Sequence, residues 1–184
     1  MGIDPSMRST GICLNDGTKH RYFLVLASPT KKVQKFENDA LIKLIYTPTA
    51  VKDKTSVGKE WAKTDNVEIV ASMVEKVIYM YKPDLIVMEA VAFAAAGRVE
   101  ELAGLNYAIR LAARGQDIPI YVVPPTTNKL AFTGNGQATK EMMVASWMAC
   151  DPNAKELINI GKSAEDLADA YSLCHFPQDK LSLV

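Results

Sequence analysis

The apolar positions change period several times along the chain, and each change marks an element. Residues 2–4 (GID) read as a short apolar strand that ends on an acid, and residues 9–14 (STGICL) as a second strand. The Asp16-Gly17 pair is a hairpin signal, and residues 20–27 return as a third strand. Residues 40–46 suit either a short strand or a helix, and the Lys- and Thr-rich stretch 48–63 reads as a loop. Val67, Val70, Val74, Val77, Ile78 and Tyr81 recur with helical spacing, which predicts a helix over 67–81. Asp65 and Glu68 have the spacing of a capping box at its start, and Pro83 ends it. Residues 85–88 (LIVM) are wholly apolar, as in a strand buried on both faces. A helix over 98–114 stops at Gly115, and a second buried strand over 119–123 is closed by Pro124-Pro125. Helices over 139–149 and 164–176 complete the pattern. A β-meander followed by alternating helix and strand predicts an α/β fold in one domain over 1–184, a mixed sheet with helices on its faces.

Composition narrows the classes. The chain has 184 residues, 48% hydrophobic and 23% charged, enough for one domain with a proper core. No run of about 18 apolar residues predicts a membrane span, and the first residues already read as strand and turn rather than a signal peptide. Cys13, Cys150 and Cys174 are odd in number, far apart and form no CxxC pair, which predicts buried free thiols in a reduced, cytoplasmic setting. Lys+Arg and Asp+Glu total 21 each, without the basic bias usual in a nucleic-acid binder. Acids gathered at a metal site can mask such a bias. Lys31, Lys32, Lys35, Lys52, Lys54, Lys59 and Lys63 crowd one part of the chain, a solvated loop more readily than a phosphate-contacting surface.

Four acids carry the candidate chemistry. Asp4 and Glu89 both follow short apolar strands, at the carboxyl ends where open α/β sheets place their sites. Asp166 and Asp169 in SAEDLADAYSL are three apart, on one helical face with Leu173. Inward-facing acids repel and are costly to bury without a cation. Each has a plainer reading alone. Asp4 can cap a turn, Glu89 can start a surface loop, and Asp166 can follow Ser163 in a Ser-x-x-Asp cap. Asp169 on an apolar face is harder to explain in that way. Hard carboxylate oxygens suit Mg²⁺ or Mn²⁺. Zinc is not expected, because His20 and His175 stand alone in the sequence and no Cys/His cluster has ligand spacing. Four carboxylates can hold two ions about 3.5–4 Å apart, one activating a water and one stabilising the leaving oxygen of a phosphodiester.

GIDPSMRSTG, LIVMEAVAF and AEDLADAYSL, in this order, resemble the RuvC-type Holliday junction resolvases, ribonuclease H-like nucleases that cut four-way DNA junctions as homodimers. The likeness runs from Gly2 to about Phe176. It implies a mixed five-stranded ribonuclease H-like sheet flanked by helices. It also implies that Asp4, Glu89, Asp166 and Asp169 bind two Mg²⁺ ions, with Mn²⁺ as a substitute. Lys129 and Lys140 in PPTTNKLAFTGNGQATKEMM match lysines that contact DNA near the scissile phosphate, and Lys140 joins the catalytic set. Phe93 in AVAFAAAG matches an aromatic that stacks on bases at the junction centre, and Glu165 is a reserve ligand. The helix over 98–114 occupies the place of the family's dimer helix, although its Leu102, Leu105, Ala108, Ile109 and Ala112 face serves equally as core.

There are departures. Only three residues precede Asp4, and the stretch from Asp4 to Glu89 is longer than in the typical bacterial enzyme; shortened, diverged members occur among phage-encoded resolvases, which points to a phage or prophage origin. The resemblance implies a metal-dependent endonuclease making paired symmetric nicks in branched DNA, with no membrane partner. The rival readings are a ribonuclease H-like nuclease for flaps, forks or RNA–DNA hybrids, a nucleotide-binding module of the actin and sugar-kinase type, and a junction binder without catalysis.

Overall fold

In the computed structural model the described residues are 1–27, 30–48, 55–91 and 99–183, with side chains described to 181. Among the described residues six strands form one sheet in the order β4-β3-β2-β1-β5-β6. β1 (Gly2–Asp4) lies at its centre, antiparallel to β2 (Ser9–Asn15) and parallel to β5 (Ile86–Glu89). β2 and β3 (His20–Leu26) form the expected hairpin. Asn15 Oδ1 accepts the Gly17 N–H at 2.8 Å, Asp16 Oδ1 accepts those of Thr18 and Lys19, and Gly17 takes the φ of +88° that the turn requires. The sheet has one strand more than the five expected. β4 (Ile42–Tyr46) falls in the stretch compatible with either strand or helix and pairs in parallel with β3. β6 (Ile120–Val123) is an edge strand, not the doubly buried one expected. Only Val123 in it is buried, and Tyr121 faces solvent.

The helices depart from the periodic pattern at their ends. After the short α1 (Lys31–Gln34), α2 runs over Ser56–Tyr81, so it absorbs half of the stretch expected to be a loop. Its N-cap is Thr55, whose hydroxyl accepts the Gly58 N–H at 2.9 Å; Asp65 and Glu68 lie inside the helix and cap nothing. Lys63 bridges Glu60 at 2.9 Å and Glu100 of α3 (Val99–Arg114) at 3.5 Å, so the helix neutralises part of its basic run locally. α4 (Pro125–Thr133) was not expected, since Pro124-Pro125 reads as a stop. Pro125 instead opens the helix, where its missing N–H costs nothing, and Gly134 closes it with φ +75°. α5 (Lys140–Cys150) and α6 (Ala154–Leu157) lead to α7 (Ser163–Cys174). Ser163 is the first residue of α7 rather than its cap, which is Lys162, so the Ser-x-x-Asp cap is not formed.

α2 and α3 cover one face of the sheet, burying Ile3, Ile12 and Met88 against Val74, Ile78, Leu105 and Ile109. The Leu105–Ile109 side of α3 is therefore core, and Tyr107 and Leu111 on its outer side are exposed. α5 and α7 cover the other face around Cys13, Leu24, Trp147, Leu167 and Ala168. α7 lies unusually close to β1 and β2. A Cβ on Gly2 would strike the Ala170 carbonyl and the Cys174 backbone, and one on Gly11 would come within 2.7 Å of the Asp166 carbonyl carbon. Glycine at these two positions is what lets the helix backbone rest on the strands. Of the cysteines only Cys13 is fully buried; Cys174 is partly exposed and Cys150 exposed, against the expectation for all three. No helix among the described residues is long and apolar enough to cross a membrane.

Candidate carboxylate centre

Asp4 is the last residue of β1 and Glu89 the last of β5. The strands pair in the register Ile3↔Met88, which makes Asp4 and Glu89 neighbours. Alternation along a strand turns both away from the face of Ile3 and Met88 and toward α7. Asp4 also pairs across to Gly11, over which the Asp166 backbone sits. Asp169 follows one turn along α7. Residues more than 160 positions apart thus meet at one end of the central strands.

The four carboxylates are reached by solvent on one side and enclosed by protein on the rest, and they feel one another. Burial, then the charges of Glu89, Asp169 and Asp166, hold Asp4 well above the ordinary range. Glu89 is pushed up to about 7 by burial and then by Asp169, with Lys129 and Lys140 opposing. Asp166 rises to about 6 by burial, tempered by the Ser9 hydroxyl and Lys140. Asp169 rises to about 6 for the same first reason, with both lysines opposing. Lys140, the first residue of α5, places Nζ 2.9 Å from Glu165. Burial lowers its pKa, but the hydrogen bond and charge of Glu165 prevail and raise it. Glu165 is thus engaged by a lysine. Among the described residues no three His, Cys, Asp or Glu side chains stand in coordinating geometry around one point. Ionised carboxylates this close repel one another. As a donor set they still fit a hard divalent cation: oxygen only, several charges, and a burial cost that a positive ion removes.

Several residues that hold this centre were not singled out from the sequence. Thr10, fully buried, donates its hydroxyl proton to the Ser6 carbonyl at 2.7 Å and accepts the Ser6 N–H at 3.0 Å, closing the turn that follows Asp4. Asn106, buried on α3, donates from Nδ2 to the Glu89 carbonyl at 3.0 Å and pins the end of β5. Ser172 donates to the Asp169 carbonyl and accepts from Asn128 of α4, each at 2.7 Å, which sets the neighbouring Lys129 beside the acids. The available signal was a polar residue on an otherwise apolar helical face, as in LNYAI and AYSLC. Phe93, Lys52 and Lys54 lie outside the described residues. His20 and His175, alone in the sequence, face each other in space with Nε2 atoms 2.8 Å apart, near the other end of α7.

Comparison with known proteins adds four findings. Residues 53–175 match the model of the family described as "Crossover junction endodeoxyribonuclease RuvC". Asp4 precedes that stretch; Glu89, Lys129, Lys140, Asp166 and Asp169 fall within it. The crossover junction endodeoxyribonuclease RuvC of Bacteroides fragilis is 35% identical over 131 residues, which span 68% of this chain and 65% of that protein, just under two thirds of it. The Thermus thermophilus RuvC structure superposes with a TM-score of 0.56 at 19% identity, covering 99% of this chain and 94% of that one. T. thermophilus RuvC in complex with Holliday junction substrate gives 0.55 at 19% identity, covering 94% and 88%. These two share the fold, a mixed α/β sheet flanked by helices.

Proposed function

Since the chain belongs to the RuvC family of crossover junction endodeoxyribonucleases, we propose that it is a metal-dependent endonuclease of branched DNA. Its substrate is the four-way junction, which it resolves by paired symmetric nicks in recombination and repair. The observation that supports this reading most is the meeting of Asp4, Glu89, Asp166 and Asp169 with Lys129 and Lys140 at the ends of β1 and β5. In this reading the four carboxylates hold two divalent ions, Mg²⁺ or in its place Mn²⁺. When bound, the ions supply an activated water and charge stabilisation at the leaving oxygen.

The chain's own residues do the rest. Lys129 and Lys140 bind the scissile phosphate, and Lys140, partly neutralised by Glu165, lends its charge to the phosphorane-like transition state. Asn106 holds the Glu89 carbonyl, and Thr10 holds the Ser6 backbone in the turn that follows Asp4. The raised pKa values mean that protons compete with cations for the same oxygens near neutral pH. A homodimer fits a two-fold junction, because two-fold protein symmetry sets two centres on strands of equal polarity.

The test is a labelled four-way junction incubated with and without Mg²⁺, beside a flap, a fork and an RNA–DNA hybrid. Paired symmetric nicks on the junction, only with Mg²⁺, are expected. An intact junction with the hybrid or flap cut would move the substrate assignment; no cutting of any substrate would remove the enzyme reading.

A further inference from the structure

The facing histidines form a second polar cluster that the nuclease reading does not use. His20 opens β3 and His175 follows the last residue of α7. Behind His20 stands Asp151, with only 2% of its side chain exposed and Oδ2 3.4 Å from His20 Nδ1. Asp151 is itself fixed. It accepts the Tyr22 hydroxyl proton on Oδ2 and the Asn153 N–H on Oδ1 at 2.9 Å, and the Tyr22 oxygen in turn accepts from Trp147 Nε1 at 2.9 Å. Asp151 on the Nδ1 side favours a His20 proton there, and in the 2.8 Å hydrogen bond between the two Nε2 atoms His20 then accepts and His175 donates. Tyr171 packs on both rings, with centroids 5.0 Å from His20 and 4.4 Å from His175. His175 reaches solvent, and burial followed by the facing His20 holds its pKa below the usual imidazole value, so its ring stays neutral.

We propose that His20 and His175 bind a borderline divalent cation such as Zn²⁺ through their Nε2 atoms, with Asp151 orienting His20 from behind. A carboxylate on the far nitrogen of a ligating histidine fixes its tautomer and raises its basicity. Two nitrogens about 2.0–2.1 Å from a tetrahedral zinc stand roughly 3.3 Å apart. The cation replaces the proton between the two Nε2 atoms, which passes to His175 Nδ1, and the rings part by about 0.5 Å, which the exposed His175 beyond the helix end can supply. Imidazole selects zinc, copper or nickel over Mg²⁺, so this centre and the carboxylates would sort two kinds of ion. Water completes the shell, since the pair supplies two protein ligands. Bound metal ties the end of α7 to the start of β3.

The experiment is equilibrium dialysis of the full chain against Zn²⁺ with Mg²⁺ in large excess to occupy the carboxylates, alongside electron paramagnetic resonance of the Cu²⁺-loaded protein. The wild type is expected to hold one Zn²⁺ and to show nitrogen superhyperfine structure. His175→Ala, at an exposed position, should keep the native circular dichroism, weaken Zn²⁺ at least about tenfold and reduce the superhyperfine pattern from two nitrogens to one. Tyr22→Phe, which frees Asp151, should weaken Zn²⁺ by about tenfold. Zn²⁺ binding unchanged in folded His175→Ala, or absent from the wild type under excess Mg²⁺, overturns the proposal.

Discussion

Replacing Glu89 with Gln should stabilise the protein while abolishing its activity. The carboxyl group is pushed from 4.5 to about 7 by burial and by Asp169. A folded-state pKa above the unfolded one means that the folded chain binds the extra proton, so stability is highest at low pH and falls as pH rises from about 4.5 through about 7. At about 1.4 kcal/mol per factor of ten, the full penalty at pH 8 is ~3 kcal/mol, and it shrinks to about a quarter of that at pH 5. Solvent on the open side of the site screens part of it, which leaves about 2 kcal/mol. For a domain of this size that is roughly 4–8 °C in melting temperature. Gln keeps the shape and removes the charge. In EDTA, melts followed by circular dichroism should show Glu89→Gln above wild type by this margin at pH 8, with the gap closing toward pH 5. Mg²⁺ should raise the wild type at pH 8 more than the variant. Equal melting temperatures at pH 8, or a variant that loses more stability than wild type between pH 5 and pH 8, would refute the electrostatic account of the centre.

Asp4→Asn and Asp169→Asn should each lower junction cleavage to background while leaving junction binding, read by gel shift, within a few-fold of wild type. Lys140→Ala should weaken junction binding by no more than a few-fold and cut at a rate lower by about a hundredfold, the loss expected from removing one charge-stabilising donor, in single-turnover assays. Under limiting Mg²⁺ the wild-type rate should climb between pH 6 and pH 8 as protons leave Glu89, Asp166 and Asp169, and saturating Mg²⁺ should shift the rise to lower pH. Gly11→Ala brings a methyl within 2.7 Å of the Asp166 carbonyl carbon, and should cost about 1–3 kcal/mol in urea denaturation as well as cutting rate.

Much of the fold is legible in the sequence because its elements repeat with clean periods. The 2–4, 9–14 and 85–88 strands and the helices around Val74, Ile109 and Leu167 all fall where the pattern puts them. The misses have local causes. Lysine is a good helix former, so a basic run such as 56–63 does not distinguish loop from helix. Pro125 follows another proline yet starts a helix, because the first helical position needs no N–H. β6 looks buried on both faces, but an apolar run reads the same at a sheet edge. Strand-end acids and a DxxD pair name the carboxylate centre, since each acid breaks an apolar stretch. Asn106 and Thr10 are harder to see. What they hold is a backbone atom, and a backbone atom leaves no mark in the sequence of its partner.

The placement of α7 explains why the acids are tolerable at all. Gly2 and Gly11 let the helix backbone rest directly on β1 and β2, and Leu167, Ala168, Ala170 and Leu173 bury its apolar side. That packing holds Asp166 and Asp169 against Asp4 and Glu89 despite their repulsion. Burial raises all four pKa values, and bound ions or protons relieve the charge that the two lysines leave. A helix seated less rigidly would let the acids drift apart, which would stabilise the empty protein and weaken its hold on cations. The same helix ends at the His20–His175 pair, so its two ends meet two chemistries: oxygen donors at the start and nitrogen donors at the finish.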